Sequence, residues 1–247
     1  MNSVIGKTAL ITGSAQRIGA VIARTLHQAG MNIALHYRSS KQAAETLSAE
    51  LNTLRPGSVL LLQADLQDTG HLATLVEQAA SRWHGLDLLV NNASSFYPTP
   101  LENATEAQWD ELFASNLKAP FFLAQAATPY LRKKQGNIIN MADIHAQHPL
   151  RQHTIYCAAK AGLVMLTQSL ARELAPAVRV NAIAPGAILW PEQGANETTQ
   201  ANILSRIALQ RAGTPEEIAQ TVLFLIRAGS YITGQVIAVD GGRTLFI

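Results

Sequence analysis

The sequence predicts an α/β fold, a doubly wound parallel sheet of about seven strands with helices on both faces. Three observations carry this. Short aliphatic and β-branched runs alternate with longer stretches of helical periodicity from one end to the other. A glycine-bearing turn separates the first such strand from the first such helix. No repeat, low-complexity tract or shift in composition divides the 247 residues, so one domain over 1–247 is expected.

Thr8 to Thr12 reads as a buried strand. Ile18, Val21, Ile22 and Leu26 then give a helical apolar face, and Gly30 stops that helix as a C-capping glycine. Asn32 to Tyr37 is the second strand. Ser40 is placed to cap a helix through Leu54, Pro56-Gly57 turns the chain, and Val59 to Gln63 is the third strand. Further strands are expected at Leu86 to Asn91, Asn137 to Met141, Arg179 to Ile183 and Val236 to Val239. Between them the periodicity predicts helices at Thr69 to Arg82, Thr105 to Lys133 with a break or kink near Pro120, Tyr156 to Ala175, and Pro215 to Arg227. Ala187 to Thr199 lacks periodicity, carries Pro191 and Gly194, and reads as a mobile loop, the best candidate for a lid over a ligand.

Composition narrows the function. With 48% hydrophobic and 15% charged residues the chain suits a compact enzyme rather than a disordered segment. A formal net charge of +2 supplies no cationic field to gather nucleic acid or anionic lipid, so neither nucleic acid nor membrane is an expected partner. The single cysteine, Cys157, excludes an internal disulfide and a thiolate zinc site, and it reads as a small packed residue. Met1 to Gly6 carries no leader-like or spanning run, which points to the cytoplasm. His145 and His148 have no third strong ligand at metal spacing, so no metal is expected.

The turn Thr12-Gly13-Ser14-Ala15-Gln16-Arg17-Ile18-Gly19 opens the first helix, where a pyrophosphate would sit in a Rossmann-type fold. Glycine lets the backbone approach phosphate, and the exposed N–H groups and dipole of a helix start favour negative charge. The second strand ends in His36-Tyr37-Arg38-Ser39-Ser40, about 20 residues on, where an NAD enzyme places an acid for the ribose. No acid is present. A guanidinium at Arg38, with the hydroxyls of Ser39 and Ser40, suits a 2′-phosphate and hence NADPH; the alternative is a solvated Arg38 beside serines that only cap the next helix. Asp65 can meet the adenine edge, and Asn91-Asn92-Ala93 ends the fourth strand where the cofactor would pass.

Tyr156 and Lys160 lie one helical turn apart on one face, and an ammonium beside a phenol is expected to lower the phenol's pKa and make it a usable acid near neutral pH. With these pieces in order, the chain resembles the short-chain dehydrogenase/reductase family over essentially its whole length. The matching residues are the Thr12 to Gly19 turn, Asn91-Asn92-Ala93, Asn116, Tyr156 with Lys160, Pro185-Gly186 and the closing Asp240-Gly241-Gly242. The resemblance implies that Tyr156 is the acid, that Lys160 also holds the nicotinamide ribose, and that Asn116 orders a water in a proton relay. It extends the cofactor contacts to Ile18, His36, Tyr37, Leu66, Ser94, Pro185 and Gly186.

Two departures from the family pattern are informative. Arg17 stands where the family usually has glycine, and Asp143 stands where it usually has the serine that donates to a carbonyl oxygen. An ionised aspartate only accepts, so it opposes the alkoxide formed when a ketone takes hydride; it suits a nitrogen heterocycle that presents N–H groups or needs a ring nitrogen protonated. With the run from Asn92 to Pro100, these departures resemble the pteridine reductases of the family. That likeness implies that Phe96 stacks on a pterin opposite the nicotinamide, that Ser94 and Arg17 contact substrate and cofactor phosphate, and that Asp143 with Tyr156 supplies protons. The rival readings are a carbonyl or 3-oxoacyl reductase of the same family and a non-catalytic NADPH-sensing module. Apolar residues around the helix after Tyr156 (Leu163, Val164, Met165, Leu166 and Leu170) suggest burial beyond one sheet face, and the resemblance implies a homotetramer.

Overall fold

The computed structural model of the chain describes residues 2–189 and 197–246. Its strands are β1 (Thr8–Ile11), β2 (Asn32–Tyr37), β3 (Val59–Gln63), β4 (Leu88–Asn91), β5 (Asn137–Met141), β6 (Arg179–Pro185) and β7 (Val236–Val239). All pair in parallel, in the order β3-β2-β1-β4-β5-β6-β7. The helices are α1 (Arg17–Gln28), α2 (Lys41–Leu54), α3 (Leu72–Arg82), α4 (Glu106–Phe113), α5 (Ala119–Lys134), α6 (Thr154–Leu174), α7 (Glu197–Leu204) and α8 (Pro215–Arg227).

Both faces of the sheet are covered, which is why its central strands are apolar without alternation. Ala9 and Ile11 face a core completed by Ile22 and Leu26 of α1, Leu47 of α2 and Val222 of α8. Leu10 faces the opposite core, with Val76 of α3, Leu123 of α5 and Leu170 of α6. From β1 the chain winds outward to β3, then restarts at β4 on the other side of β1, leaving a crevice above the strands' carboxyl ends where the winding reverses.

Four local expectations change. The helix expected over Thr105 to Lys133 is α4, a π-helical turn over Ala114–Lys118, and α5. The irregularity therefore lies ahead of Pro120, which sits in the first turn of α5 directly after the π-helical turn. Ser40 precedes α2 but makes no side-chain cap; its ψ of 54° directs the hydroxyl elsewhere, and it donates to Gln16 Oε1 at 3.4 Å. β6 runs on through Pro185, which pairs with Val239. The aperiodic stretch at 187–199 ends in α7, and residues 190–196, on which the lid expectation falls, lie outside the described residues. Among the described helices none is long and apolar enough to cross a membrane.

Candidate active site

The glycine turn is built by close approach. Gly13 has φ +60°, and a Cβ there would lie 3.0 Å from Ala93 Cα; a Cβ on Gly19 would lie 2.4 Å from the Gly13 carbonyl oxygen. Side chains knit the turn to the end of β4. Thr12 Oγ1 accepts from the N–H groups of Asn92 (2.9 Å) and Ala93 (3.0 Å), while Asn92 Nδ2 donates to the carbonyls of Thr12 (2.9 Å) and Gly13 (3.0 Å). Beneath the turn, the buried His36 accepts the Gly13 N–H at Nδ1 (3.1 Å) and meets the Ala64 carbonyl at Nε2 (3.1 Å). A backbone N–H donor at one nitrogen and a carbonyl at the other fix a neutral ring protonated on Nε2. Burial drives its pKa down to about 4, against smaller upward pulls from the Ala64 carbonyl and Asp65. Gln16 offers α1 no side-chain cap, so the first-turn N–H groups stay available to an anion. Arg17 holds φ +54°, the left-handed region, which gives a backbone reason for the glycine usual in the family at this point.

A groove of about 740 Å³ runs along this edge of the sheet, from Arg38, Ser39 and Ser40 past the glycine turn and Asp65-Leu66 to Phe96, Ser115 and Leu189. Every residue expected to meet a cofactor through Ser94 lies on its wall: Gly13, Arg17, Ile18, Gly19, His36, Tyr37, Arg38, Ser39, Asp65, Leu66, Asn92, Ala93 and Ser94. Tyr156, Lys160, Pro185 and Gly186 do not line it. Gly186 is held instead against the end of β7, its N–H donating to the Val239 carbonyl at 3.0 Å, and a Cβ there would lie 2.7 Å from Asp240 Cα. The sequence reading passed over Ala15, Gln16, Gln67, Ser95, Ser115 and Leu189, which also line the groove. Gln16 and Ser95 lie inside motifs already singled out, so their position in the chain was the available signal.

At the other end, the Tyr156 hydroxyl donates to Asp143 Oδ2 at 2.7 Å, and Asp143 Oδ1 accepts the His145 N–H at 2.8 Å. The carboxylate thus caps the short turn after β5 and faces the phenol at once. Lys160 is buried and donates from Nζ to the Met141 carbonyl at 2.7 Å, with Nζ 5.7 Å from the Tyr156 ring centre. The lowered phenol pKa expected from the Tyr156–Lys160 spacing is not found: burial first, then the Asp143 charge and hydrogen bond, hold it well above its ordinary value. Burial lowers the Lys160 pKa to about 8, with Asp143 pulling the other way. Asn116 sits in the π-helical turn and donates from Nδ2 to the Ser95 and Leu112 carbonyls, both at 2.9 Å, leaving its buried Oδ1 without a protein partner. An acceptor so placed is a natural water site.

Phe96 is 49% exposed, with its ring stacked on His153 at 4.7 Å and edge-on to Tyr156 at 4.8 Å. His153, which was not foreseen, is the non-helical residue immediately before α6, three ahead of Tyr156. His145 Nδ1 is occupied by the His148 carbonyl at 2.8 Å. Among the described residues no three histidine, cysteine or acidic side chains gather to hold a metal. Cys157 is buried and accepts the Leu150 N–H at 3.4 Å. On α6, Leu163 and Leu170 are core, Val164 and Leu166 pack against the cores, and only Met165, 60% exposed, is left for a partner among the five apolar residues named above.

A family model described as enoyl-(acyl carrier protein) reductase matches residues 13–244. Pteridine reductase 1 of Leishmania tarentolae is 36% identical, with 96% of each chain covered. The 3-oxoacyl-[acyl-carrier-protein] reductase FabG of Staphylococcus aureus is 38% identical, over 96% of this chain and 97% of that one. Among solved structures, a blue fluorescent protein from a metagenomic library in complex with NADPH superposes with a TM-score of 0.92 at 34% identity, covering 98% of this chain and 99% of the other. The chain belongs to the short-chain dehydrogenase/reductase family and is an oxidoreductase of that family.

Proposed function

We propose that this chain is an NADPH-dependent pteridine reductase. The residues present fit the cofactor. The glycine turn leaves no side chain between backbone and phosphate, the first turn of α1 is uncapped, and the exposed Arg38 makes no ion pair among the described residues. Gly13, Arg17, Ile18 and Gly19 would hold the pyrophosphate, Arg38 with Ser39 the 2′-phosphate, Asp65 and Leu66 the adenine side, and Asn92, Ala93, Ser94 and Lys160 the nicotinamide half, with Pro185-Gly186 at its edge. NADPH supplies the hydride when bound.

The observation that carries the pterin assignment is Asp143 Oδ2 at 2.7 Å from the Tyr156 hydroxyl. A ketone reduced there would build negative charge on oxygen beside a carboxylate, which opposes the reaction. A pterin instead offers N–H groups to that carboxylate and ends with a protonated nitrogen rather than an alkoxide. Tyr156 holds the proton to be delivered, and Lys160 stays cationic near neutral pH beside it. Phe96 would give a flat ring a surface to lie on, and Arg17 and Ser94, on the same groove wall, would meet its polar edge. The relatives support both readings of the substrate: pteridine reductase 1 favours the pterin, and FabG, matched equally well, favours a 3-oxoacyl thioester. We extend the proposal to a homotetramer, whose contacts would cover the exposed Trp109, Phe121 and Met165; a sedimenting monomer would reject that part.

NADPH oxidation by the purified protein, followed with dihydropterins, dihydrofolate and oxoacyl thioesters, separates the readings. Turnover of pterins is expected. Turnover of oxoacyl thioesters alone rejects the pterin assignment, and NADPH binding without any turnover favours a cofactor-sensing module.

A further inference from the structure

The carboxyl ends of β5, β6 and β7 stand side by side, so Asp143 after β5, Gly186 after β6 and Asp240 to Arg243 after β7 share one edge. The last of these segments is firmly held. The Asp240 carboxylate accepts the N–H groups of Gly242 (2.9 Å) and Thr244 (2.8 Å), and the Gly241 carbonyl accepts the Leu209 N–H at 3.0 Å. A Cβ on Gly241 or Gly242 would lie 2.8 Å from Ile207 or Ala208, so the segment that follows α7 packs directly on this turn and carries Arg206 with it.

Arg243, the next residue, is half-buried and makes no hydrogen bond or ion pair from its side chain among the described residues. Asp143, which lies within its electrostatic reach, is already engaged by the Tyr156 hydroxyl and the His145 N–H. Burial lowers the Arg243 pKa, Asp143 opposes that, the neighbouring Arg206 adds to it, and Asp240 opposes it. Arg243 thus stands at the sheet edge shared with Asp143, within electrostatic reach of the carboxylate that the Tyr156 hydroxyl meets. A cation half withdrawn from water without a partner is unfavourable by itself and becomes favourable when an anion completes it.

We propose that Arg243, with Arg206 beside it, binds an anionic group on the substrate remote from the ring that is reduced, so that the enzyme prefers pterins whose side chain carries a carboxylate or a phosphate. The inference rests on the pteridine reading above. The guanidinium fork suits either oxyanion, and its place on a braced turn fixes the distance from the reduced ring to the charge.

The test is steady-state kinetics with NADPH on the full chain and on Arg243→Gln and Arg243→Lys, using dihydrobiopterin (uncharged side chain), dihydroneopterin phosphate and dihydrofolate. The readout is kcat/KM for each anionic pterin divided by that for dihydrobiopterin. In the unaltered protein the ratio is expected above one and falling with added KCl. Arg243→Gln should lower it about tenfold or more, through KM rather than kcat, which is what one charge-assisted hydrogen bond contributes; Arg243→Lys should restore part of it. Whichever of phosphate and carboxylate loses more is the anion read. A ratio unchanged by Arg243→Gln and indifferent to salt overturns the anion site while leaving the pteridine reading intact. No turnover of any pterin by the unaltered protein overturns both. The salt series needs no variant, so a ratio indifferent to KCl overturns the anion site even if a substitution at Arg243 fails to fold.

Discussion

Lowering the pH from 7.5 to 5 should weaken the fold by about 2 kcal/mol through His36 alone. The ring is buried and must be neutral, because Nδ1 accepts the Gly13 N–H and cannot do so once protonated. Its folded-state pKa of about 4 lies below the ordinary 6.5. An unfolded chain therefore takes up the proton first as the pH falls. The stability this group contributes is complete above pH 6.5, shrinks as the pH drops, and is gone below 4; the whole span is about 3 kcal/mol, with about 2 lost by pH 5. Equilibrium urea unfolding at fixed protein concentration, at pH 7.5, 6.5, 5.5 and 5, measures it directly. His36→Gln should be less stable at pH 7.5, having lost a fitted pair of hydrogen bonds, but its stability should fall by about 2 kcal/mol less over the same interval. Because the ring supports the turn that would hold the pyrophosphate, NADPH affinity should decline in the same window in the unaltered protein and more gently in the variant. Parallel pH profiles for the two proteins would refute the role given to His36.

Gly19→Ala should abolish measurable NADPH binding by fluorescence titration, since its methyl group would press on the Gly13 carbonyl at 2.4 Å; near-normal affinity would show that the turn can shift. Arg38→Ala should weaken NADPH by about 10-fold to 100-fold and NADH little, and an equal loss for both would contradict a phosphate-reading guanidinium. Tyr156→Phe should cut kcat by about 10² to 10⁴ while NADPH affinity stays within a few-fold, and undiminished turnover would remove Tyr156 from proton transfer. Lys160 titrates at about 8 when folded, so the neutral amine accumulates as the pH rises past that value. Reduction should accordingly lose kcat/KM on the alkaline side of pH 8, and Lys160→Arg should carry that limb upward; a limb that stays in place assigns it to another group.

The fold was readable because a sheet covered on both sides imposes apolar strands and amphipathic helices in strict alternation, and Asn32–Tyr37, Val59–Gln63 and Pro215–Arg227 fall where periodicity puts them. The π-helical turn at Ala114–Lys118 was not readable, because one extra residue per turn leaves helical propensity unchanged and shows only in which carbonyl each N–H meets. Within the site, the glycine turn and the Tyr156 and Lys160 pair came from residue type and spacing, and Asp143 from the family resemblance, as a departure from its pattern. The direction of the Tyr156 pKa did not. Spacing placed Lys160 near the phenol but gave no account of burial, of the Met141 carbonyl that takes the ammonium, or of Asp143 lying closer to the hydroxyl than the lysine does. His153 was overlooked for a related reason: a ring that backs another ring has no motif, only a neighbour in space.

Arg17 keeps a backbone conformation that costs an ordinary residue roughly 1–2 kcal/mol over glycine. A library screened for survival of heating should therefore drift toward glycine at this codon, while one screened for turnover should retain arginine. On the proposed role of Arg17 the two selections would pull a single position in opposite directions, and this codon would be where thermal robustness and activity are exchanged for one another.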